Sequence, residues 1–353
     1  MSYEEQILAL QIPGADEAAR AEAHERWNAV AKPIGSLGLL ETDIERIAAC
    51  TGSADIDIAK RAVVVMCADN GVVEEGVTQA GQEVTALVAE NMARAQSSVC
   101  RMGAVVGAKV FPVNVGMVHP APTVRDCKVM SGTNNMTKGP AMSREQAAQA
   151  IWTGVEVVRE LVAQGYCMFA TGEMGIGNTT SSSALASVLL GMAPDEVTGK
   201  GAGLSDEGLA RKVQAIKRAI NVNKPNPSDP LDVLSKVGGL DIAGLVGVYL
   251  GCAEARVPVV IDGFISAVAA LTAIRMFPKA KDAMLSSHAS AEPAVKAVLV
   301  AIGLRAPIHA DMRLGEGTGA VCLFPLLDMA LRVYDGTSFD GLGIDAYDAD
   351  LVK

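Results

Sequence analysis

Tyr166-Cys167-Met168-Phe169-Ala170-Thr171-Gly172-Glu173-Met174-Gly175-Ile176-Gly177-Asn178-Thr179-Thr180 is a short apolar run that breaks into glycines before entering an Ala/Ser/Leu-rich segment reaching Leu190. The run between Gly165 and Gly172 reads as a buried strand and the segment from Thr179 as a helix, which puts the glycines in a strand-to-helix turn. Such a turn aims backbone N–H groups and the positive end of a helix dipole at one point, an arrangement that favours a phosphate. On this reading Glu173 lies inside the turn. An anion-binding loop has no need of a carboxylate, whereas an enzyme does. Gly172, Gly177, Asn178 and Thr179 approach the P-loop spacing, but Asn178 stands where that pattern needs its lysine, which argues against a nucleoside-triphosphate hydrolase.

Outward from this stretch the same rhythm recurs. Val63 to Ala68 is a continuous apolar run of the kind buried on both faces of a sheet, and it ends in Asp69-Asn70-Gly71. A helix is expected from about Gln82 to Met102, then a strand from Lys109 to Val115. Ser143 and Gln146 form a capping box for a helix with its apolar face on Ala147, Ile151, Val155, Val158 and Val162. A second glycine cluster, Gly199 to Gly203, precedes a helix opened by Ser205 and Asp206. Val257 to Asp262 reads as another buried strand, and Arg313-Leu314-Gly315-Glu316-Gly317-Thr318-Gly319 leads into an apolar helix through Leu331. Alternating strands and helices predict a parallel α/β sheet, with the helices before residue 60 as a separate layer or small subdomain.

Composition narrows the function. The chain has 353 residues, 50% of them hydrophobic and only 4% aromatic, which suits an ordinary compact core. A net charge of −10 without basic runs argues against nucleic acid and favours a small-molecule ligand. The seven cysteines are scattered without a C-x-x-C pair and read as reduced core thiols, and the four histidines lack metal-ligand spacing, so no protein-bound metal is expected. No apolar run reaches membrane-spanning length and no signal segment is visible, which predicts a cytoplasmic protein.

In open parallel sheets the ligand lies beyond the carboxyl ends of the strands, where Asp69-Asn70-Gly71, Gly172 to Thr180, Gly199 to Gly203, Asp262-Gly263 and Gly315 to Gly319 would converge. Two of these segments set a glutamate between glycines, Glu173 and Glu316. Either carboxylate could act as a general base if burial raises its affinity for protons, and Glu316 could instead cap the helix that follows. Lys200 and Lys212 could meet a phosphate, although a lysine at the second position reads first as a solvated helix residue. His119 and His288 read as hydrogen-bonded structural residues.

Pro33-Ile34-Gly35-Ser36-Leu37-Gly38, Met66 to Gly76, Gly139-Pro140-Ala141-Met142-Ser143, Gly172 to Thr180, Asp232 to Gly239 and Arg313 to Gly317 together resemble, in order and over roughly residues 25 to 335, the nicotinate-nucleotide:5,6-dimethylbenzimidazole phosphoribosyltransferases of cobalamin nucleotide-loop assembly. The resemblance implies an open parallel sheet flanked by helices, a Rossmann-like catalytic domain at 61–330, and a small helical domain made from 1–60 plus 331–353. It implies transfer of the 5-phosphoribosyl group of nicotinate mononucleotide to a lower-ligand base, with no metal or further cofactor, in a homodimer. Glu316 then matches the proposed general base, and Glu173, Gly175, Gly177, Asn178, Thr179, Thr180, Gly201, Gly203 and Lys212 match positions about the nucleotide. The incoming base would meet Asn70, Ala80, Val88, Met174 and Leu314.

The departures from the family pattern concern that base. Asn70 replaces a frequent histidine, and Ala80 and Val88 stand where familiar members offer a polar edge. A branch of the family activates phenol or p-cresol as a heterodimer of related chains, of which a chain bearing Glu316 would be the competent one. A non-catalytic nucleotide-binding subunit is the reading of another class, and the presence of Glu316 speaks against it.

Overall fold

The computed structural model describes residues 1–201 and 203–347. Among these, six strands form one sheet: β1 Arg61–Ala68, β2 Ala108–Gly116, β3 Arg125–Asp126, β4 Met168–Met174, β5 Val259–Ile261 and β6 Met284–Ser286. All pairings are parallel and the order is β3-β2-β1-β4-β5-β6. From β1 the chain builds outward on one side through β2 and β3, and from β4 on the other through β5 and β6. The order therefore reverses between β1 and β4, and a crevice opens beyond their carboxyl ends.

β1 shows why an unbroken apolar run becomes a central strand. Every residue of it is buried. Ala62, Val64, Met66 and Ala68 pack into one core with helices Arg144–Ala163 and Leu240–Glu254, while Val63, Val65 and Cys67 pack into a second with Trp27, Ile44, Ile47 and Phe324. The two sets alternate because successive strand side chains point to opposite faces. The Arg144 helix opens with the Ser143–Gln146 capping box that its sequence announces.

The second core lies beneath helices from the two ends of the chain, Glu17–Ala29 and Leu39–Thr51 from the first part and Thr318–Tyr334 from the last. Trp27 and Tyr334 meet edge to face at 4.9 Å, and Val30 forms an antiparallel bridge with Ser338. Residues 348–353 of the expected 331–353 segment lie outside the described residues. Among the described residues no helix is long and apolar enough to cross a membrane.

Three local expectations are corrected. The helix expected over 82–102 is two, Glu83–Ala93 and Ser98–Val105, because Ala95 turns into the left-handed region (φ 57°) and Ser97 starts a new helix by accepting from Cys100 N. β4 does not stop at Gly172 but continues to Met174, with Gly172 and Glu173 in register against Val65 and Met66. Glu173 thus belongs to a strand and not to the turn. The strand expected over Val257–Asp262 is confined to Val259–Ile261.

Candidate active site

A cavity of about 420 Å³ lies at the carboxyl end of the sheet, within the range that holds a small organic ligand. Glu173, Met174 and Gly175 come from the end of β4, and Asn178 and Thr179 from the first turn of the helix Asn178–Leu190. Asp262 follows β5, His288, Ser290 and Glu292 follow β6, and Arg313 to Glu316 precede the Thr318 helix. Gly201 and Val88 also line the cavity. The turn after β4 is tethered from outside: Thr85 Oγ1 accepts from Ile176 N at 3.2 Å while donating to Asp69 Oδ1 at 2.6 Å, and Asp69 Oδ2 accepts from Val118 N at 2.8 Å.

Glu173 is 8% exposed. Burial, reinforced by the charge of Asp241, pushes its carboxyl up to about 8, against a hydrogen bond from Asn178 that favours the ionised form. Asn178 Nδ2 donates also to Asp241 Oδ2 at 2.9 Å, and burial pushes Asp241 up to about 6. Two carboxylic acids joined through one amide thus have proton affinities set well apart.

Glu316 is held by its backbone. Gly315, Glu316 and Gly317 occupy the left-handed region in succession (φ 85°, 61° and 91°), an unusual state for the glutamate, which carries a Cβ. Asp262 pins this turn by accepting from Gly317 N at 3.2 Å and Ala320 N at 3.0 Å. β4 approaches it from below: a Cβ on Gly172 would lie 2.5 Å from the Glu316 carbonyl oxygen, so only glycine lets strand and turn meet. The Glu316 carboxyl is partly buried, burial raises its pKa above the usual carboxylate range, and its Oε2 has no partner among the described residues. It does not cap the Thr318 helix, whose N-cap is Gly317.

Lys212 contradicts the expectation of a solvated helix residue, because it is 0% exposed. Its helix, Asp206–Asn223, turns this position toward the glycine cluster, and Nζ donates to Thr179 Oγ1 at 2.9 Å and to Gly199 O at 3.0 Å. Burial pulls its pKa down to about 8, with Glu292 opposing. Two neutral acceptors leave its charge uncompensated by direct contact among the described residues. Together with Gly201 and Thr179 on the cavity wall, it makes a place for an anion beside the two glutamates.

The fold agrees with what the chain resembles in sequence. A phosphoribosyltransferase family profile matches residues 12–344. The chain is 45% identical over 329 residues to the nicotinate-nucleotide–dimethylbenzimidazole phosphoribosyltransferase of Acetivibrio thermocellus, spanning 91% of this chain and 93% of that protein. It belongs to this phosphoribosyltransferase family. The Clostridium tetani enzyme of the same name is 47% identical over 323 residues, 91% of this chain and 89% of that protein. A crystal structure of CobT from Thermus thermophilus superposes with a TM-score of 0.89 at 39% identity, covering 93% of this chain and 99% of that one.

In this phosphoribosyltransferase the cavity gathers Glu173, Glu316, Gly175, Asn178, Thr179, Gly201, Val88, Met174 and Leu314, with Lys212 just behind. Other residues expected at the site fall elsewhere. Asn70 is buried beneath the cavity, where its Oδ1 accepts from Ser181 Oγ at 2.9 Å, and Ala80 is not among the lining residues. Gly177 serves packing: it is the N-cap of the Asn178 helix at φ 95°, and a Cβ there would lie 2.9 Å from Val73 Cγ1. Thr180 is fully buried in that helix, and Gly203 is exposed outside the lining. His288 is buried against Ser287 Oγ at 3.1 Å, as a structural histidine would be, yet it also faces the cavity.

Asp241, Ser290, Glu292 and Arg313 were not singled out by sequence reasoning. Asp262 was expected at the ligand site only as part of the Asp262-Gly263 strand end, with no role of its own. Asp241 gave no local signal, since it is one carboxylate near the start of a long apolar helix and meets Asn178 across 63 residues of chain. Among the described residues no group of three or more His, Cys, Asp or Glu side chains is arranged to hold a metal ion.

Proposed function

We propose that this protein transfers the 5-phosphoribosyl group of nicotinate mononucleotide to 5,6-dimethylbenzimidazole or a related base, giving an α-ribotide and nicotinate. The observation that carries the reading is the meeting, at one cavity, of two raised carboxyl groups with a buried lysine that donates to neutral acceptors. Lys212, Thr179 and Gly201 take the phosphate. The pyridinium nitrogen of the donor is already cationic, so nicotinate leaves C1′ without prior protonation, and the protein's main task is to hold donor and acceptor in line. Attack from the face opposite the leaving group converts a β linkage to an α linkage. Glu316 accepts the proton that the incoming base loses, and an ionised carboxylate near C1′ favours a transition state with positive charge on the sugar.

Val88, Met174 and Leu314 give the cavity an apolar stretch of wall, which supports acceptance of several benzimidazoles and, as a second reading, of phenol or p-cresol. Dimeric assembly, as a homodimer or with a paralogous chain, cytoplasmic location, and a small helical domain from 1–60 plus 331–353 belong to the same proposal.

The test is incubation of purified protein with nicotinate mononucleotide and a panel of benzimidazoles and phenols, with products identified by mass. An α-ribotide of dimethylbenzimidazole with stoichiometric nicotinate is expected; no ribotide from any base would overturn the reading. Lys212→Met is expected to raise the KM for the nucleotide about tenfold or more through loss of a charge-assisted contact to phosphate. An unchanged KM would remove Lys212 from phosphate binding.

A further inference from the structure

Asn178 ends in a single amide nitrogen with two hydrogens, and both are engaged within the protein. Nδ2 donates to Glu173 Oε2 and to Asp241 Oδ2. The opposite amide orientation would set a carbonyl oxygen against two carboxylate oxygens, so the placement of nitrogen follows from the chemistry of its neighbours. The backbone closes around this bridge: a Cβ on Gly175 would lie 2.6 Å from Asp241 Oδ2 and 3.2 Å from Asn178 Nδ2, and one on Gly315 would lie 2.6 Å from Glu173 Oε1. Asp241 itself is 0% exposed, and its Oδ1 finds no partner among the described residues. What favours a charge there is first the Asn178 hydrogen bond and then the N–H groups of the first turn of the Leu240–Glu254 helix, in which Asp241 sits.

We propose that Asp241 is the positioning residue of Glu173, fixing the orientation of that carboxyl group through the Asn178 amide and setting its charge. This rests on the reading of Glu173 as one of the two carboxyl groups of the phosphoribosyl-transfer site. Asp241 never reaches the cavity. It acts because Asn178 can donate one hydrogen to each carboxyl group, and because the Asp241 charge disfavours ionisation of Glu173 across the shared amide.

The other groups that bear on Glu173 are Asp262 after β5 and Glu316 in the loop before the Thr318 helix, while Asp69 bears on Asp241, and Cys67 on β1 feels the charges of all three buried acids Asp241, Glu173 and Asp69. Cys67 is fully buried and its thiol is pushed up, so it stays neutral. Asp262 and Glu316 raise the proton affinity of Glu173 in the same direction as Asp241 does, and Asp241 is the strongest of the three. Removing the Asp241 charge therefore lowers the pKa of Glu173, whereas removing the Asn178 hydrogen bond raises it.

The experiment is a titration of the side-chain carboxyl carbons in the unliganded full chain labelled with ¹³C-glutamate, with Glu173→Gln assigning the signal. Asp241→Asn keeps an acceptor for Asn178 and removes only the charge, so the midpoint of Glu173 is expected to fall by about one pH unit. Asn178→Ala is expected to move it upward. Midpoints unchanged in both variants would overturn the proposal, as would shifts of the same sign. If Asp241→Asn does not fold, Asp241→Ser carries the same expectation. In the transferase assay the pH profile of kcat should shift with the titration while the KM for nicotinate mononucleotide stays within about threefold, the signature of a residue acting through another. An inactive wild type that still shows the opposed shifts would count against the proposed reaction alone; an active wild type without them would count against Asp241 alone.

Discussion

Glu173 and Glu316 stand at the same face of the sheet, each next to a glycine, yet the protein holds them by opposite means. Glu173 is on a regular strand, in register with Met66, almost fully enclosed, and fixed by side-chain hydrogen bonding. Glu316 is on a left-handed turn, partly open to the cavity, and fixed by backbone contacts from Asp262 and by the close approach of Gly172. The strand site costs electrostatic free energy, because a carboxyl group is kept from water. The turn site costs conformational free energy, because a residue with a Cβ is held at positive φ. An enclosed acid with fixed surroundings is suited to setting a field, and a carboxylate at an open wall is suited to taking a proton from a ligand that comes and goes.

Substitutions separate the two, and the largest effect is expected at the turn. Glu316→Gln should leave nucleotide KM nearly unchanged and lower kcat at least about a hundredfold, the scale of a lost general base. Steady-state kinetics checks this, and an almost fully active variant would transfer the role elsewhere.

An intermediate effect belongs to the strand, and pH reveals it. The Glu173 carboxyl binds its proton up to about pH 8 when folded, against an ordinary value of 4.5. Folding therefore retains a proton that the unfolded chain has released across that window. The stability is fully present below 4.5 and is lost as pH rises from there through 8. Glu173→Gln is expected to match the wild type near pH 5 and to exceed it by about 2 kcal/mol at about pH 9, as read by denaturant unfolding. Equal stability at both would mean that water reaches the wild-type carboxylate. The smallest effect returns to the turn: Glu316→Gly should raise stability by about 1 kcal/mol at low pH through relief of the left-handed strain, and by more as pH rises because the wild-type carboxyl has a raised pKa, while abolishing turnover.

The same contrast accounts for what sequence made legible. β1 and β4 are central strands of a parallel sheet, and the apolar runs Val63 to Ala68 and Met168 to Ala170 made them legible because both faces of such strands are buried. Gly172 misled because glycine normally punctuates a strand, whereas here it answers to a contact with Glu316, far along the chain. The burial of Lys212 was not legible for a related reason, since a lysine on an amphipathic helix is ordinarily solvated and only the approach of Thr179 and Gly199 makes this one buried. Glu316 was the most visible candidate because its two flanking glycines are a local signal, although the groups that hold the turn, Asp262 and Gly172, are distant. Asp241, restrained and used entirely through distant neighbours, was invisible.

The left-handed backbone at Glu316 also bears on how such a protein changes over generations. A glutamate codon becomes a glycine codon through one base change, and at this position the replacement is expected to fold better while forfeiting the reaction. A duplicated copy relieved of its catalytic task thus has a downhill route at residue 316, toward a sturdier protein that keeps the Thr179 and Gly201 wall of the cavity with Lys212 bonded behind it. Loss of activity and gain of robustness would then arrive in a single step, and the way back would run uphill in foldability.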